Sequence, residues 1–309
     1  MRTLLITGGA GFIGSHLADD ALAHGERVVI LDNLSTGRRE NVPAGASFYQ
    51  RDLLDPGLDE LLADERVDVV SHHAAQVNVR FSLERPDEDA RINVVGGLAL
   101  VAACRRAGVR RFVFASSGGT VYGDQQIFPC DEEHPQRPDS PYGCAKLAFE
   151  HYLDAFRRAG EIEPVVLRYA NAYGPRQWPK GECGIVAILA ETLLGGGRPR
   201  IFGDGEQTRD YVHVDDIVAA NRAAYSTDRL GAYNVGTGVE TSVNRLYRMV
   251  AEELGTTTEP LHAPAVPGEL RRNCLDASKL ERELGAGPKT ALREGLRRTL
   301  AWYGARVGA

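Results

Sequence analysis

The sequence predicts an α/β fold, a doubly wound parallel sheet followed by a smaller C-terminal α/β lobe that binds substrate. Up to about residue 168, short β-branched or apolar runs alternate with longer stretches whose apolar residues recur at helical spacing. A glycine-rich turn follows the first of those runs, and beyond 168 the sequence becomes richer in Gly and Pro and its runs shorten.

Taken in order, strands are expected at 3–7, 27–31, 47–50, 68–72, 111–115 and 165–168, with helices at 12–23, 56–63, 88–107 and 141–158 between them. Later helices are expected at 186–194, 215–225, 243–254 and 292–303. We divide the chain at 1–168, a cofactor-type domain, and 169–309, mainly the substrate-binding lobe. The boundary is soft because later segments of doubly wound folds return to complete the sheet, and 212–214 and 233–235 are candidates to do so.

With 43% hydrophobic and 25% charged residues in 309, the chain has enough apolar side chains for one or two cores, which excludes a disordered chain. A formal net charge of −6 argues against a nucleic-acid partner, so any anionic ligand must be held by specific residues. The five cysteines (Cys104, Cys130, Cys144, Cys183, Cys274) are scattered, without C-x-x-C spacing, and read as free thiols of a cytoplasmic protein. The apolar start Leu4-Leu5-Ile6 is too short for a secretion signal, and no later run is long enough to span a membrane.

The first strand runs into Gly8-Gly9-Ala10-Gly11-Phe12-Ile13-Gly14, a G-x-x-G-x-x-G turn that opens a helix. Gly8 permits the tight turn, Gly11 lets backbone approach a pyrophosphate, and Gly14 lets helix and strand pack closely; this is a Rossmann-like arrangement with the helix N-terminus facing the phosphates. Asp32 ends the second strand where a carboxylate accepts from the adenosine ribose hydroxyls, and it repels a 2′-phosphate, so the expected cofactor is NAD. Asp52 and Leu53 follow the third strand toward the adenine, and Ala74, Ala75 and Gln76 let backbone pass beneath a flat cofactor. Phe12, Ile13, Asn33, Ser35, Asn93 and Ser116 complete the expected cofactor contacts. His72 and His73 invite a metal reading, but no third ligand sits at metal spacing, and no metal is expected.

In Ser140-Pro141-Tyr142-Gly143-Cys144-Ala145-Lys146, Ser140 suits a cap and Pro141 the first helical position, which puts Tyr142 and Lys146 on one helical face. A tyrosine is a poor base at neutral pH unless a neighbouring cation favours its phenolate, and Lys146 is such a cation. Alone, the pair reads equally as a surface feature. Coming after the glycine turn, it resembles the extended short-chain dehydrogenase/reductase family, and the resemblance covers nearly the whole chain. That family implies NAD and a catalytic Tyr142 and Lys146, with a third hydroxyl from the segment 115–123.

In the 4,6-dehydratases of the family, that segment carries adjacent Asp and Glu where this chain has Gly119 and Thr120, and the decarboxylases place a Glu at 120. What remains is similar to the UDP-glucose 4-epimerases, although their usual Ser/Thr aligns with Gly118. The hydroxyl role falls first on Thr120, which would also touch the sugar, and second on Ser117. The run Arg168-Tyr169-Ala170-Asn171-Ala172-Tyr173-Gly174-Pro175-Arg176 resembles a family segment in which Tyr169 would touch the cofactor and Asn171 the nucleotide diphosphate. By the same resemblance Arg209 would bind diphosphate, Phe202 would pack near the uracil, and Glu269 would touch substrate. Where the family has an Arg, this chain has Val266, so one phosphate contact is either lost or supplied by Arg271 or Arg272; the position that limits sugar size falls on Asn273.

The resemblance thus implies a nucleotide-sugar 4-epimerase with Tyr142 as base. A glucuronate-type epimerase or keto-reductase is the nearer alternative, and a non-catalytic dinucleotide sensor the more distant one. It also implies a homodimer formed through helices 88–107 and 141–158.

Overall fold

The computed structural model describes residues 1–179, 184–265 and 270–307. Seven parallel strands form its main sheet: β1 (Thr3–Thr7), β2 (Arg27–Leu31), β3 (Ser47–Tyr49), β4 (Val69–His72), β5 (Arg111–Ser117), β6 (Glu163–Tyr169) and β10 (Gly231–Val235). Their spatial order is β3-β2-β1-β4-β5-β6-β10. Helices α1 (Phe12–Ala23), α2 (Leu58–Asp64), α3 (Val79–Glu84), α4 (Pro86–Ala90), α5 (Gly97–Ala107) and α6 (Pro141–Arg158) connect the first six.

Both faces of the sheet are covered, which is why its strands are apolar without interruption. Side chains alternate between two cores. Leu4, Ile6, Val28, Ile30, Val113 and Val165 face α1 and α8 (Val214–Ala224) through Leu17, Ala18 and Ile217. Leu5, Val29, Val70, Phe112, Phe114 and Val166 face α2, α5 and α6 through Leu61, Leu100, Phe149 and Leu153.

A third core joins α7 (Ile185–Leu194), α9 (Val243–Leu254) and α11 (Leu292–Val307) through Val186, Leu189, Leu246, Val250, Leu296 and Leu300. Beside it, β7 (Asn171–Tyr173), β9 (Thr208–His213) and β11 (Glu240–Ser242) make a three-stranded sheet, and β8 (Arg200–Phe202) pairs with β12 (Leu261–Ala263). Helix α10 (Ser278–Leu284) packs against β10. Among the described residues no helix is long and apolar enough to cross a membrane.

Two expectations need correction. Of the segments expected to rejoin the sheet, 233–235 lies in β10, but 212–214 does not belong to that sheet: β9 pairs with β7 and β11. It stops at His213, whose Nδ1 accepts from the Asp215 amide and caps α8. The single helix expected over 88–107 is interrupted by a π-helical turn at Arg91–Gly96. Close packing follows it: a Cβ on Gly97 would lie 2.7 Å from the Phe149 ring.

Candidate active site

A cavity of about 950 Å³ opens at the carboxyl ends of β1, β2, β4, β5 and β6, between the main sheet and the smaller sheet. Sheet order reverses between β1 and β4, where doubly wound folds place ligands.

The glycine turn forms one wall. Gly8 has φ +69° and its amide donates to the Leu31 carbonyl at 2.9 Å. A Cβ on Gly14 would lie 2.2 Å from the Gly8 carbonyl oxygen, so only glycine lets α1 start there. The N-cap of α1 is Gly11, without a capping side chain, which leaves the helix's first amides to an anion. Asp32 is buried and accepts from the Ala10 amide at 2.9 Å and the Leu34 amide at 2.8 Å. Burial raises its pKa while those two amides oppose the rise. Asn33 donates to Asp52 at 2.9 Å and accepts from the Ser35 amide, which ties both turns into one adenosine-side rim. The cradle that any Cβ would fill, the uncapped helix and the Asp32 carboxylate all fit NAD.

At the opposite end Ser140 accepts from the Gly143 amide at 3.2 Å, and Pro141 begins α6. Tyr142 and Lys146 are both buried and line the cavity. Lys146 donates to the Ala115 carbonyl at 3.0 Å, with its Nζ 5.7 Å from the Tyr142 ring centre. Burial lowers the Lys146 pKa to about 8, against the opposing charges of Asp89 and Glu150. Burial likewise raises that of Tyr142, opposed by a hydrogen bond with Ser117 and reinforced by Asp89.

Of the expected contacts, Phe12, Ile13, Ser35, Leu53, Ala74, Ala75, Gln76, Ser116, Ser117, Tyr169, Asn171 and Arg209 line the cavity. Asn93, Thr120 and Phe202 are not on its wall. Asn93 instead holds Gln76, accepting from its amide at 3.0 Å and donating to its carbonyl at 2.9 Å. Thr120 is turned toward Gly143, and its hydroxyl is buried with no partner among the described residues. Phe202 lies beneath the Arg80 guanidinium, 5.8 Å from its ring centre. Glu269 lies outside the described residues.

Arg271 and Arg272 do not supply the missing cation, since each grips a carboxylate with two nitrogens, Asp204 and Glu240 respectively. Asn273 is buried and donates to the Gly118 carbonyl at 3.3 Å. A Cβ on Gly118 would strike Leu275 at 2.3 Å, so a side chain at position 118 would have to displace it. Asp210 does not pair with Arg209; its carboxylate accepts from the amides of Thr237, Gly238 and Leu275.

Asp89 and Glu150 escaped the sequence reading, and His73 was weighed there only as a metal ligand. Asp89 accepts from Gln76 at 2.6 Å and Asn93 at 3.0 Å. Glu150, one turn beyond Lys146, forms a buried ion pair with Arg168 at 2.6 Å; its spacing on α6 was the available signal. His73 contacts Tyr169, a meeting of the end of β4 with β6 across β5 that no local pattern announces.

Fold and cavity define a dinucleotide-binding α/β enzyme with a buried tyrosine and a buried lysine on the wall of its cavity. Residues 4–236 match the model of the NAD dependent epimerase/dehydratase family. The chain is 45% identical to the UDP-glucose 4-epimerase of Mycolicibacterium smegmatis over 309 aligned residues, 98% of each chain. It superposes on a Thermotoga maritima UDP-glucose 4-epimerase with UDP-glucose at TM-score 0.97 and 42% identity, covering 99% of this chain and 100% of that one. For a Thermus thermophilus UDP-glucose 4-epimerase complex with NAD the TM-score is 0.93 and the identity 44%, covering 98% and 99%. The chain belongs to the NAD-dependent epimerase/dehydratase family, and its cofactor is NAD.

Proposed function

We propose that the protein interconverts C4 epimers of a nucleotide-diphosphate sugar of the UDP-glucose/UDP-galactose type. The observation that carries this reading is the meeting of Tyr142, Lys146 and Ser117 at one point of the cavity, with no carboxylate at 118–120 to drive elimination. Relatives named UDP-glucose 4-epimerase at 45 and 44% identity support the choice of sugar.

NAD, held by the glycine turn, the first amides of α1 and Asp32, would supply the hydride acceptor and donor for C4. Tyr142 takes the O4 proton as hydride leaves C4 and gives it back on return, so the cycle is redox-neutral. Lys146 favours the phenolate electrostatically. Ser117 relays the hydrogen bond between O4 and Tyr142, and its contact with the phenol ranks it above Thr120. Asn171 and Arg209, on the wall formed by β7 and β9, hold the diphosphate while the sugar turns. In this reading the cofactor half is 1–168 and the substrate lobe mainly 169–309. Exposed Leu83, Val95 and Tyr152, near or on the helices expected to pair, support a homodimer. Free thiols at Cys104, Cys130, Cys144 and Cys274 suit a cytoplasmic enzyme.

The test is incubation of purified protein with UDP-glucose, UDP-galactose, their N-acetyl forms and UDP-glucuronate, without added reductant, with products resolved by NMR. Inversion at C4 is expected, and none with any sugar overturns the proposal. Ser117→Ala should lose most activity and Thr120→Val little; the reverse would return the hydroxyl role to Thr120.

A further inference from the structure

The hydroxyl of Tyr169 has two neighbours: the Asn221 side-chain nitrogen at 2.7 Å and His73 Nε2 at 3.0 Å. The second hydrogen of the Asn221 amide donates to the Ile217 carbonyl at 2.8 Å, so turning the amide over would set two oxygens against each other. Asn221 therefore donates to Tyr169; His73 gives a hydrogen bond to the Ser71 backbone, which leaves Nε2 as its accepting nitrogen, so the phenol sends its own proton to Nε2. An imidazole accepting at Nε2 carries its proton on Nδ1, and that nitrogen faces Ser71. Burial drives the His73 pKa down to about 3, which keeps the ring neutral and able to accept. The two rings stack with planes 23° apart, and the His73 amide is fixed by the Thr7 carbonyl.

A phenol oxygen accepts two hydrogen bonds. Asn221 uses one. Both Tyr169 and His73 line the cavity, so the other lone pair can face the cofactor. We propose that His73 is a positioning residue: by holding the Tyr169 proton it makes Tyr169 an acceptor rather than a donor. That acceptor takes the NH₂ side of the nicotinamide carboxamide and keeps the ring in one orientation for both hydride transfers. The inference rests on the 4-epimerase reading for its kinetic consequence and on NAD alone for its structural one.

The first test needs no variant: the imidazole ¹⁵N shifts of His73 in the NAD-loaded protein should show a protonated Nδ1 and a bare Nε2. A proton on Nε2, or an imidazolium near neutral pH, overturns the proposal. In turnover, His73→Leu should lower kcat by about threefold to tenfold, the worth of one hydrogen bond, with KM near the parental value and more reduced nicotinamide stranded in the steady state. His73→Gln, which restores an acceptor, should recover much of the loss. Tyr169→Phe should match His73→Leu, and the double variant should be no worse than either. Losses that multiply, or parental kcat and parental stranded NADH in His73→Leu, would sink it. If the parent inverts no sugar, the function reading has failed by itself. The positioning claim is then read from NAD release, which both single variants should hasten alike and without compounding.

Discussion

Arg168→Met tests the buried charge behind Lys146. Arg168 and Glu150 are only 4 and 7% exposed, and the guanidinium meets both carboxylate oxygens at 2.6 to 3.2 Å. It also donates to the Tyr122 hydroxyl at 2.9 Å, while Glu150 accepts from Ser116. Removing the arginine leaves a carboxylate in the core, and breaking such a pair costs about 3–5 kcal/mol. Protonation limits the penalty. Neutralising a glutamate of ordinary pKa near 4.3 costs about 3.7 kcal/mol at pH 7 and about 1 kcal/mol at pH 5.

The loss should therefore be about 3–4 kcal/mol at pH 7 and fall by about 2 kcal/mol or more at pH 5. The sign follows from linkage: a carboxylate left buried without its cation favours the protonated form on folding, so the variant gives up stability as pH rises. Urea denaturation at both pH values measures it, and Arg168→Met with Glu150→Leu should recover most of the loss by removing both charges. Equal destabilisation at pH 5 and pH 7, or a double variant as weak as the single, would refute the reasoning.

Gly14→Ala must move backbone, because its Cβ would sit 2.2 Å from the Gly8 oxygen; we expect about 1–3 kcal/mol lost in thermal melts and little NAD in the purified protein. Asp32→Ala should weaken NAD binding by about tenfold to a hundredfold and erase discrimination against NADP, as titration calorimetry with each cofactor will show. The folded pKa of Lys146 is about 8, below its unfolded value near 10.4. Stability of the parent should accordingly rise from about pH 8 to about pH 10 while activity falls, and melts of Lys146→Met should lack that rise.

What could be read from the sequence followed the range of the interactions involved. Gly8, Gly11 and Gly14 serve a turn and the helix after it, and Tyr142 and Lys146 share one helix, so local spacing exposed them. Asp32 announced itself as the end of an apolar strand. Thr120 could not be separated from Ser117, because a turn closed by the Thr120 amide on the Ser117 carbonyl redirects each successive side chain. The segment 212–214 was misplaced because three-residue partners, Asn171–Tyr173 and Glu240–Ser242, claim β9, and strands so short leave little pattern. Arg271 and Arg272 looked available until Asp204 and Glu240 were seen to occupy them.

Tyr142, Lys146 and Glu150 recur at every fourth residue of α6, so the proposed mechanism puts proton transfer, electrostatic support and core anchorage on one helical stripe. Burial lowers the Lys146 pKa to about 8, and the proposed mechanism needs it cationic to favour the phenolate. The carboxylates of Asp89 and Glu150 offset that burial, but an unpaired Glu150 would draw the lysine toward itself. Arg168 prevents this by taking both oxygens of Glu150, which leaves Lys146 on the Ala115 carbonyl and facing the cavity. The ion pair thus belongs to the site although neither partner touches a reacting atom. Glu150→Gln should accordingly lower the pH at which activity is lost on the basic side, while a substitution that only loosened the core would leave that limb in place.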